Sequence, residues 1–568
     1  MQPRSKTLHI FLKKILFFTI CLCIVSSTAS AQEAVRGQFA HRYGRPYPVE
    51  RRFMWQPENK TKAFLGSNLH ALVLLAEYND VSYTYTREDF EKTLIHQEAS
   101  ARQYFRDQLG QDVNITVAGP FKVKKNRAYY GTNNSEGADM FPGTFIADVC
   151  TAADVEVDFS EFDDDGDGYV DNVYVFYAGE DESQQKKDKS GRAENPDFMW
   201  AHSWTLEASE YRKTLELDGV KINGYACSSE LYRIYTTAET YNDVKAPIGP
   251  FCHEHSHIFG LSDLYDTDYE KSGGVAAGLW RKTSLMDSGN YNDNGATPPN
   301  YDAIQREIIG LEQPEELKAG KYSLLPAGSK GARAYRLSNP KDSTEYYLFE
   351  CRSNEGWDKY IGGRGLLVYH IDKSPNYKTT AETLKKEISS NERWRPYNQV
   401  NCRPDHQCAD LIEADGRSDS SPAEAAYSDI SGIFFPQTGA TAIGGNANIK
   451  LSFWDGSVSK LSVNEIALAS DGTISFAVRD EFSPIPPDPV NPPLDTDMLY
   501  IIVQDNGESL ELDVSNSVSA IEVRWFFNGK RIEDCNGFIP EGNGEIRAEI
   551  VWPDSSVDYC FKEWRGRR

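Results

Sequence analysis

The sequence has little that would hold a nucleic acid or a bilayer. Its 60 basic side chains are outnumbered by 85 acidic ones, a formal charge of −25. Phosphate backbones bind net basic surfaces, so nucleic acid is excluded as a partner. Beyond one apolar run near the N-terminus there is no stretch long enough to span a bilayer, which excludes a polytopic membrane protein. No CxxC pair occurs, and with it go zinc-ribbon and thioredoxin-type sites. No repeat recurs at solenoid periods. What the chain does have is core-forming material. Apolar residues make up 40% of its 568 positions and charged residues 26%, too apolar a mixture for intrinsic disorder. At roughly 150 residues per domain, three or four units are expected.

The first 31 residues read as an address. Arg4, Lys6, Lys13 and Lys14 precede the apolar stretch Ile15 to Val25, and Ala29-Ser30-Ala31 supplies the small-x-small pattern of a signal-peptidase site. About 11 strongly apolar residues are too few for a transmembrane anchor. A cleaved signal peptide over 1–31 implies a secreted or cell-surface protein with no transmembrane segment once it is removed. The acidic surface that remains suits solubility and capture of divalent cations. Eight cysteines follow this segment, and an oxidising compartment permits disulfides. Cys402 with Cys408, and Cys535 with Cys560, are the two pairings expected.

Residues 32–66 are polar and basic and read as an N-terminal extension or short pro-segment. From 67 to 319, apolar strand runs such as Leu69 to Glu77 and Val170 to Tyr177 mix with helical spacing from Arg87 to Leu109. That mixture predicts an α+β or α/β unit. From 320 to 480 the pattern changes to short β-prone runs separated by Gly, Pro, Asn and Asp, including Lys321–Pro326, Glu345–Cys351, Gly365–Ile371, Ile449–Trp454 and Thr473–Val478. A β-rich, sandwich-like domain is expected there. Residues 481–497 contain six prolines between Ser483 and Pro493, a stiff linker. The last segment, 498–568, alternates around Trp525-Phe526-Phe527-Asn528-Gly529. Its Asn-Gly pair marks a hairpin, and a small immunoglobulin-like β module is expected, one that would bind a surface or a substrate.

The chemistry concentrates in Pro250-Phe-Cys-His253-Glu254-His255-Ser256-His257-Ile-Phe-Gly260-Leu-Ser-Asp263. Proline suits the first helical position and glycine the residue after the last, which predicts a short helix from Pro250 to Phe259. His253 and His257, four apart, project from one face onto a single ion. Glu254 can reach a metal-bound water without ligating the metal. Gly260 allows the left-handed turn that returns the chain, so that Asp263 arrives as a third ligand. Asp266 is the alternative third ligand, or an acid orienting an imidazole. His255 sits about 200° around the helix from His253 and is read as packed. His202 is read as a strand histidine near the cleft, and His370 and His406 have no ligand spacing.

These residues, with Phe162-Asp-Asp-Asp-Gly-Asp-Gly-Tyr-Val-Asp-Asn-Val173 and Ser284-Leu-Met-Asp-Ser-Gly289, resemble the immune inhibitor A family of secreted metallopeptidases. The strands Glu345-Tyr-Tyr-Leu-Phe-Glu350 and Gly365-Leu-Leu-Val-Tyr-His-Ile-Asp372 look like those that follow that family's catalytic core. The resemblance covers roughly residues 67–480. It implies a zinc endopeptidase with a metzincin-like core and bound calcium, ligands His253, His257 and Asp263, and Glu254 as the base. Met286 would lie in the Met-turn beneath the metal. Two positions depart from the family pattern: residue 255 is histidine where an aromatic is frequent, and residue 262 is serine where proline is usual.

In the acidic loop, Asp163, Asp165, Asp167 and Asp171 stand at positions 1, 3, 5 and 9 around Gly168, a spacing that supplies the oxygens calcium requires. Position 12 is Tyr174, inside an apolar run. A structural calcium loop leading into a strand is therefore expected, and no helix–loop–helix switch. Tyr291, just past the Met-turn, is a candidate oxyanion donor. The expected activity is hydrolysis of extracellular protein or peptide substrates, host or matrix proteins among them. The alternative is a calcium-stabilised adhesin or glycan binder with a vestigial peptidase core. The intact Glu254 separates the two, since a pure binder has no use for a base beside the metal water.

Overall fold

The computed structural model describes residues 69–480 and 501–565, apart from 135–137, 172, 186–193, 237–239, 269–271, 274–275, 417–429, 506–508, 515–519, 536, 552 and 554–556. The expected signal peptide, N-terminal extension and proline-rich linker lie outside these residues. Two compact units meet in the chain at residues 482 and 483. Among the described residues, no helix is long and apolar enough to cross a membrane.

The larger unit starts with β1 (Leu69–Glu77), whose nine residues LHALVLLAE are almost all buried. A strand apolar on both faces must lie inside a sheet with cover above and below, and β1 does. Its parallel neighbours are β2 (Val113–Lys122) and β3 (Val173–Tyr177). The short strands β4 (His202–Thr205), β5 (Leu215–Leu217) and β6 (Val220–Ile222) come next, then β7 (Gly224–Ser229). The sheet order is β2-β1-β3-β7-β4, parallel except for β4 at the edge. An antiparallel pair, β8 (Leu231–Tyr235) and β9 (Tyr241–Lys245), follows.

Helices α1 (Arg87–Glu91), α2 (Ala101–Leu109), α3 (Arg127–Gly131) and α4 (Pro142–Ala153) lie in the crossovers. Ser100 caps α2 by accepting from the Gln103 amide, and Gly110 ends it at φ 70°. The alternation of β1 decides which helix covers which face. Ala71, Val73 and Leu75 pack with Tyr104 and Phe105 of α2, while Leu72, Leu74 and Ala76 pack with Phe145, Ile146 and Val149 of α4. Each of these large side chains contributes about 1.5–3 kcal/mol by its burial. Two further helices, α5 (Ile248–Ser256) and α6 (Ala303–Ile309), join the α2 face, where Phe251, Cys252 and Ile304 enter the same core.

The following strands are β10 (Glu315–Glu316), β11 (Gly320–Leu324), β12 (Tyr335–Ser338), β13 (Glu345–Arg352), β14 (Gly365–Asp372), β15 (Lys378–Ala381), β16 (Lys386–Ser389), β17 (Ala409–Leu411), β18 (Leu461–Leu468) and β19 (Ile474–Asp480), with helix α7 (Ser390–Trp394) after β16. They form a sheet β10-β12-β13-β14-β17, a second sheet β11-β19-β18 and the hairpin β15-β16. Strands β13 and β14 are buried along their whole length. One face, with Tyr347, Phe349, Leu366 and Val368, packs against the β11-β19-β18 sheet. The other, with Tyr346, Leu348, Leu367 and Tyr369, shares a core with α2, α5 and Met286. The β-rich segment is thus fused to the helical face of the first sheet by a common interior.

Two local expectations in this unit need correction. The run Ile449–Trp454 forms no strand, although Leu451 and Phe453 are buried; it makes one bridge, Ser452 to Val458. The strand lies further on, at Leu461–Leu468, where a bulge between Asn464 and Ala467 breaks the alternation that would have revealed it. The expected Cys402–Cys408 bridge is also not formed. Both are buried thiols, turned toward different neighbours: Cys402 Sγ lies 3.2 Å from Thr267 Oγ1, and Cys408 faces Asp372 and His406.

The second unit has an antiparallel pair, β20 (Ile501–Asp505) and β21 (Leu510–Val514), and a sheet built from β22 (Glu522–Phe527), β23 (Lys530–Ile532), β24 (Gly544–Val551) and β25 (Val557–Trp564) in the order β23-β22-β24-β25. Asn528 and Gly529 make the expected turn with φ of 47° and 76°. Its core includes Leu512, Trp525, Ile546, Ile550 and Cys560, with Cys535 packed against it; the expected Cys535–Cys560 bridge is not formed, and both side chains are thiols.

Arg352 at the end of β13 is fully buried. Its guanidinium donates to Asp358 at 2.6 and 2.8 Å, to Glu350 at 3.2 Å, and to the carbonyls of Thr283 and Asn300. Breaking such a buried pair from one side leaves a charge with no compensation. Asp358→Ala is expected to cost about 3–5 kcal/mol, read as a lowered urea midpoint for the larger unit.

Candidate metal centre and active site

Helix α5 begins at Ile248, two residues before the expected start, with Pro247 at the N-cap position. Pro250 is accommodated because the first-turn amides of a helix have no intrahelical acceptor. Gly249 lets the helix press on the segment after the Met-turn: a Cβ there would lie 1.9 Å from the Asn290 carbonyl oxygen. The last turn tightens into a 3₁₀ turn over His257–Phe259, and Gly260 then reverses the chain at φ 79°. A Cβ on Gly260 would displace the Arg395 guanidinium, 2.1 Å away, and the left-handed backbone favours glycine there.

The reversal brings Asp263 back to the helix. Its Oδ1 lies 3.1 Å from His253 Nε2 and 3.5 Å from His257 Nε2, and all three side chains are buried. The remaining ring nitrogens are committed elsewhere. His253 Nδ1 lies 2.8 Å from the Leu285 carbonyl and His257 Nδ1 2.8 Å from that of Leu261. Those carbonyls accept from each Nδ1–H and so keep each Nε2 directed at Asp263, the nitrogen that can give up its proton to a metal. Burial opposes a charged His253, yet the hydrogen bond to Asp263 and the charge of Glu254 push it up to about 9. The pocket thus favours positive charge.

Glu254 is turned aside from this set. Its carboxylate is 3.9 Å from His257 Nε2 with 17% of the side chain exposed. It lines a cleft with His253, Trp200, Tyr232, Tyr265 and Tyr291. Tyr291 therefore stands on the wall of the cleft, stacked near Tyr232 with centroids 6.4 Å apart. Met286 is completely buried in the core beneath. Its turn touches both ligand carriers, because Leu285 accepts from His253 and the Met286 carbonyl accepts from the Leu264 amide at 2.8 Å.

Asp266 does not join the two imidazoles; it gathers with Asp268 and Cys402. His255 faces the opposite way, stacked on Phe251 and edge-on to Phe105 and Phe259. Burial there pushes its pKa down to about 3, so this ring is neutral. His202 is a buried strand residue bonded to the Trp200 carbonyl and the Tyr225 hydroxyl. A third grouping, Asp372, His406 and Cys408, is also buried. There His406 Nε2 is only 2.7 Å from Asp372 Oδ2, an ordinary hydrogen bond, and Ser390 donates to the same oxygen. His406 Nδ1 has no orienting acceptor, unlike either ring of α5.

In the acidic loop the carboxylates of Asp163, Asp165 and Asp167 come together. Asp171 is not in that group; its Oδ2 accepts from the Asp164 amide at 2.8 Å. Burial and the neighbouring acids push Asp171 up to about 7. The loop is tied to β1 through Asp164, which meets His70 at 2.8 Å, and it runs into β3 as expected.

Sequence reasoning missed Tyr232 in the cleft and, more consequentially, the segment 394–401. Asn398 Nδ2 donates to Asp263 Oδ2 at 2.6 Å, and its Oδ1 accepts from the Asp263 amide at 2.8 Å. Ser262 Oγ donates to the Trp394 carbonyl at 2.9 Å, a bond that proline at that position could not make. No local signal points from residue 263 to a partner 135 positions away.

Residues 76–310 match the model of the immune inhibitor A peptidase M6 catalytic domain. This segment is similar to the catalytic domain of that peptidase family. Its span includes α5, the Gly260 reversal, Asp263 and the Met-turn. The chain is 26% identical over 447 residues to immune inhibitor A of Bacillus thuringiensis subsp. alesti, covering 70% of this chain and 61% of that protein. It is 27% identical over 220 residues to the pre-pro-metalloprotease PrtV of Vibrio cholerae serotype O1, covering 35% of this chain and 22% of that protein. The chain therefore spans about three fifths of the first relative and about a fifth of the second.

His255→Phe replaces one ring by another in an aromatic pocket. The variant is expected to bind metal as the parent does and to shift stability by less than about 1.5 kcal/mol. Elemental analysis and urea denaturation check both; loss of the metal would show that the third imidazole takes part.

Proposed function

We propose that this chain is an exported zinc endopeptidase acting on extracellular proteins, with structural calcium in the acidic loop and a catalytic core of the metzincin kind. The observation that carries the reading is the meeting of two oriented imidazole nitrogens and one carboxylate oxygen, with Glu254 beside them and outside the set. Nitrogen and oxygen donors from three side chains, each backed by a second bond, fit a catalytic zinc with an open position. Zinc, when bound there, supplies a Lewis acid that lowers the pKa of water toward about 7 and polarises the scissile carbonyl.

The chain's own residues do the rest. Glu254, at the cleft edge, takes the proton of the attacking water and passes it to the leaving amine. His253 and His257 are kept in one tautomer by Leu285 and Leu261. Tyr291 donates its hydroxyl to the oxyanion that develops on the carbonyl. Asp163, Asp165 and Asp167, with Asp171 as a fourth carboxylate, would hold calcium in the loop that leads into β3. The C-terminal β module, read as immunoglobulin-like, engages a surface or a substrate.

The full chain is tested on an unfolded protein substrate beside two variants. Glu254→Ala is expected to keep zinc and lose at least about 10²–10⁴-fold in turnover, whereas His257→Ala loses the zinc itself. Cleavage by Glu254→Ala at the parent rate would overturn the peptidase reading. Zinc bound with no cleavage by the parent would favour a binding protein instead. Asp165→Asn is expected to lower the melting temperature when calcium is limiting, because one anionic oxygen is lost. Identical melting of the parent with and without calcium would remove the calcium site.

A further inference from the structure

The loop that carries the third donor is gripped from outside the matched peptidase segment. Over residues 260–267 and 394–401, Arg395 donates to the Gly260 carbonyl, Thr267 Oγ1 to the Asn398 carbonyl at 2.7 Å, and Asn401 Nδ2 to the Leu264 carbonyl at 2.8 Å. Asn398 is at the centre of this clasp. It is buried, and its backbone is left-handed at φ 50°, a conformation asparagine tolerates better than most side chains. Its amide makes a two-point contact with Asp263: Nδ2 to the carboxylate Oδ2, and Oδ1 from the backbone amide.

That contact divides the two oxygens of Asp263 between two tasks. Oδ2 is occupied by the Asn398 amide, and Oδ1 alone faces both imidazoles. A carboxylate with one oxygen held this way presents a single donor to a cation. Released from it, the group can rotate and offer both oxygens, filling the position that a water or a carbonyl needs. We infer that Asn398, from the β-rich segment, is a positioning residue that makes Asp263 a one-oxygen ligand of the metal centre. The inference rests on the zinc reading above. It also means that residues 76–310 do not contain the whole support of their own metal site.

The test compares the parent chain with Asn398→Ala and Asn398→Gly at full length, loaded with zinc or with cobalt. Glycine accepts the left-handed backbone, so it removes the amide without adding strain. Both variants are expected to bind zinc about 10- to 100-fold more weakly in competition with a chromophoric chelator, the usual effect of losing an outer-shell partner. The visible cobalt spectrum should also weaken from four-coordinate intensity toward five-coordinate. Parent-like affinity and spectrum in Asn398→Gly would overturn the inference, and if Asn398→Ala alone is impaired, Asn398 serves only the backbone. A parent chain that binds neither metal would instead overturn the zinc reading.

Discussion

An imidazole nitrogen 3.1 Å and another 3.5 Å from one buried carboxylate oxygen make a cluster of lone pairs that is stable only around positive charge. The surrounding chain is organised to tolerate this crowding. A helix from Ile248 to Ser256 running into the 3₁₀ turn at His257 puts two rings on one side; a glycine in the left-handed conformation turns the chain; backbone carbonyls from two separate loops hold the rings. Remove any one of these and the donors can relax apart, with the site losing its hold on a cation.

The layers around the cluster follow from the same demand for rigidity. The α2 face of the first sheet carries α5, and the strands β13 and β14 close over the other side of the same core, which continues from Phe251 and Met286 to Tyr369. A two-faced strand pair such as β13 and β14 cannot shift without disturbing the core below and the small sheet above. Arg352 reinforces the joint by binding carbonyls on either side of the Met-turn, at Thr283 and Asn300. The ligand loop is held from three directions, by the helix before it, by the turn beneath it and by the clasp across it.

Local chemistry was legible where the geometry is local. The four-residue histidine spacing, the Gly260 reversal, Asp263, the packed His255 and the turn at Met286 all depend on residues a few positions apart, and those patterns project directly into space. The reading of continuous apolar and β-prone runs exposed β1, β13 and β14 for the same reason. It failed at Leu461–Leu468, where a bulge shifts the period, and at Ile449–Trp454, where buried apolar residues sit in irregular backbone. The start of α5 was displaced because Pro250 is compatible with more than one first-turn position. Asn398 was invisible, since a polar residue in a loop advertises a turn long before it advertises a partner in another segment. The eight cysteines show the converse limit: spacing at 402 and 408 suggested a bridge, but side-chain direction decides bonding and spacing does not report it.

The clasp also has a temporal side. Chains are made from the N-terminus, and His253, His257 and Asp263 emerge well before Asn398, which follows Asp263 by 135 residues. A growing chain that has been released only as far as Met286 owns both imidazoles and the Asp263 carboxylate and lacks the amide that divides that carboxylate. The Asp263 carboxylate therefore takes its final form late, after the β-rich segment as far as Asn398 has been made and has folded back.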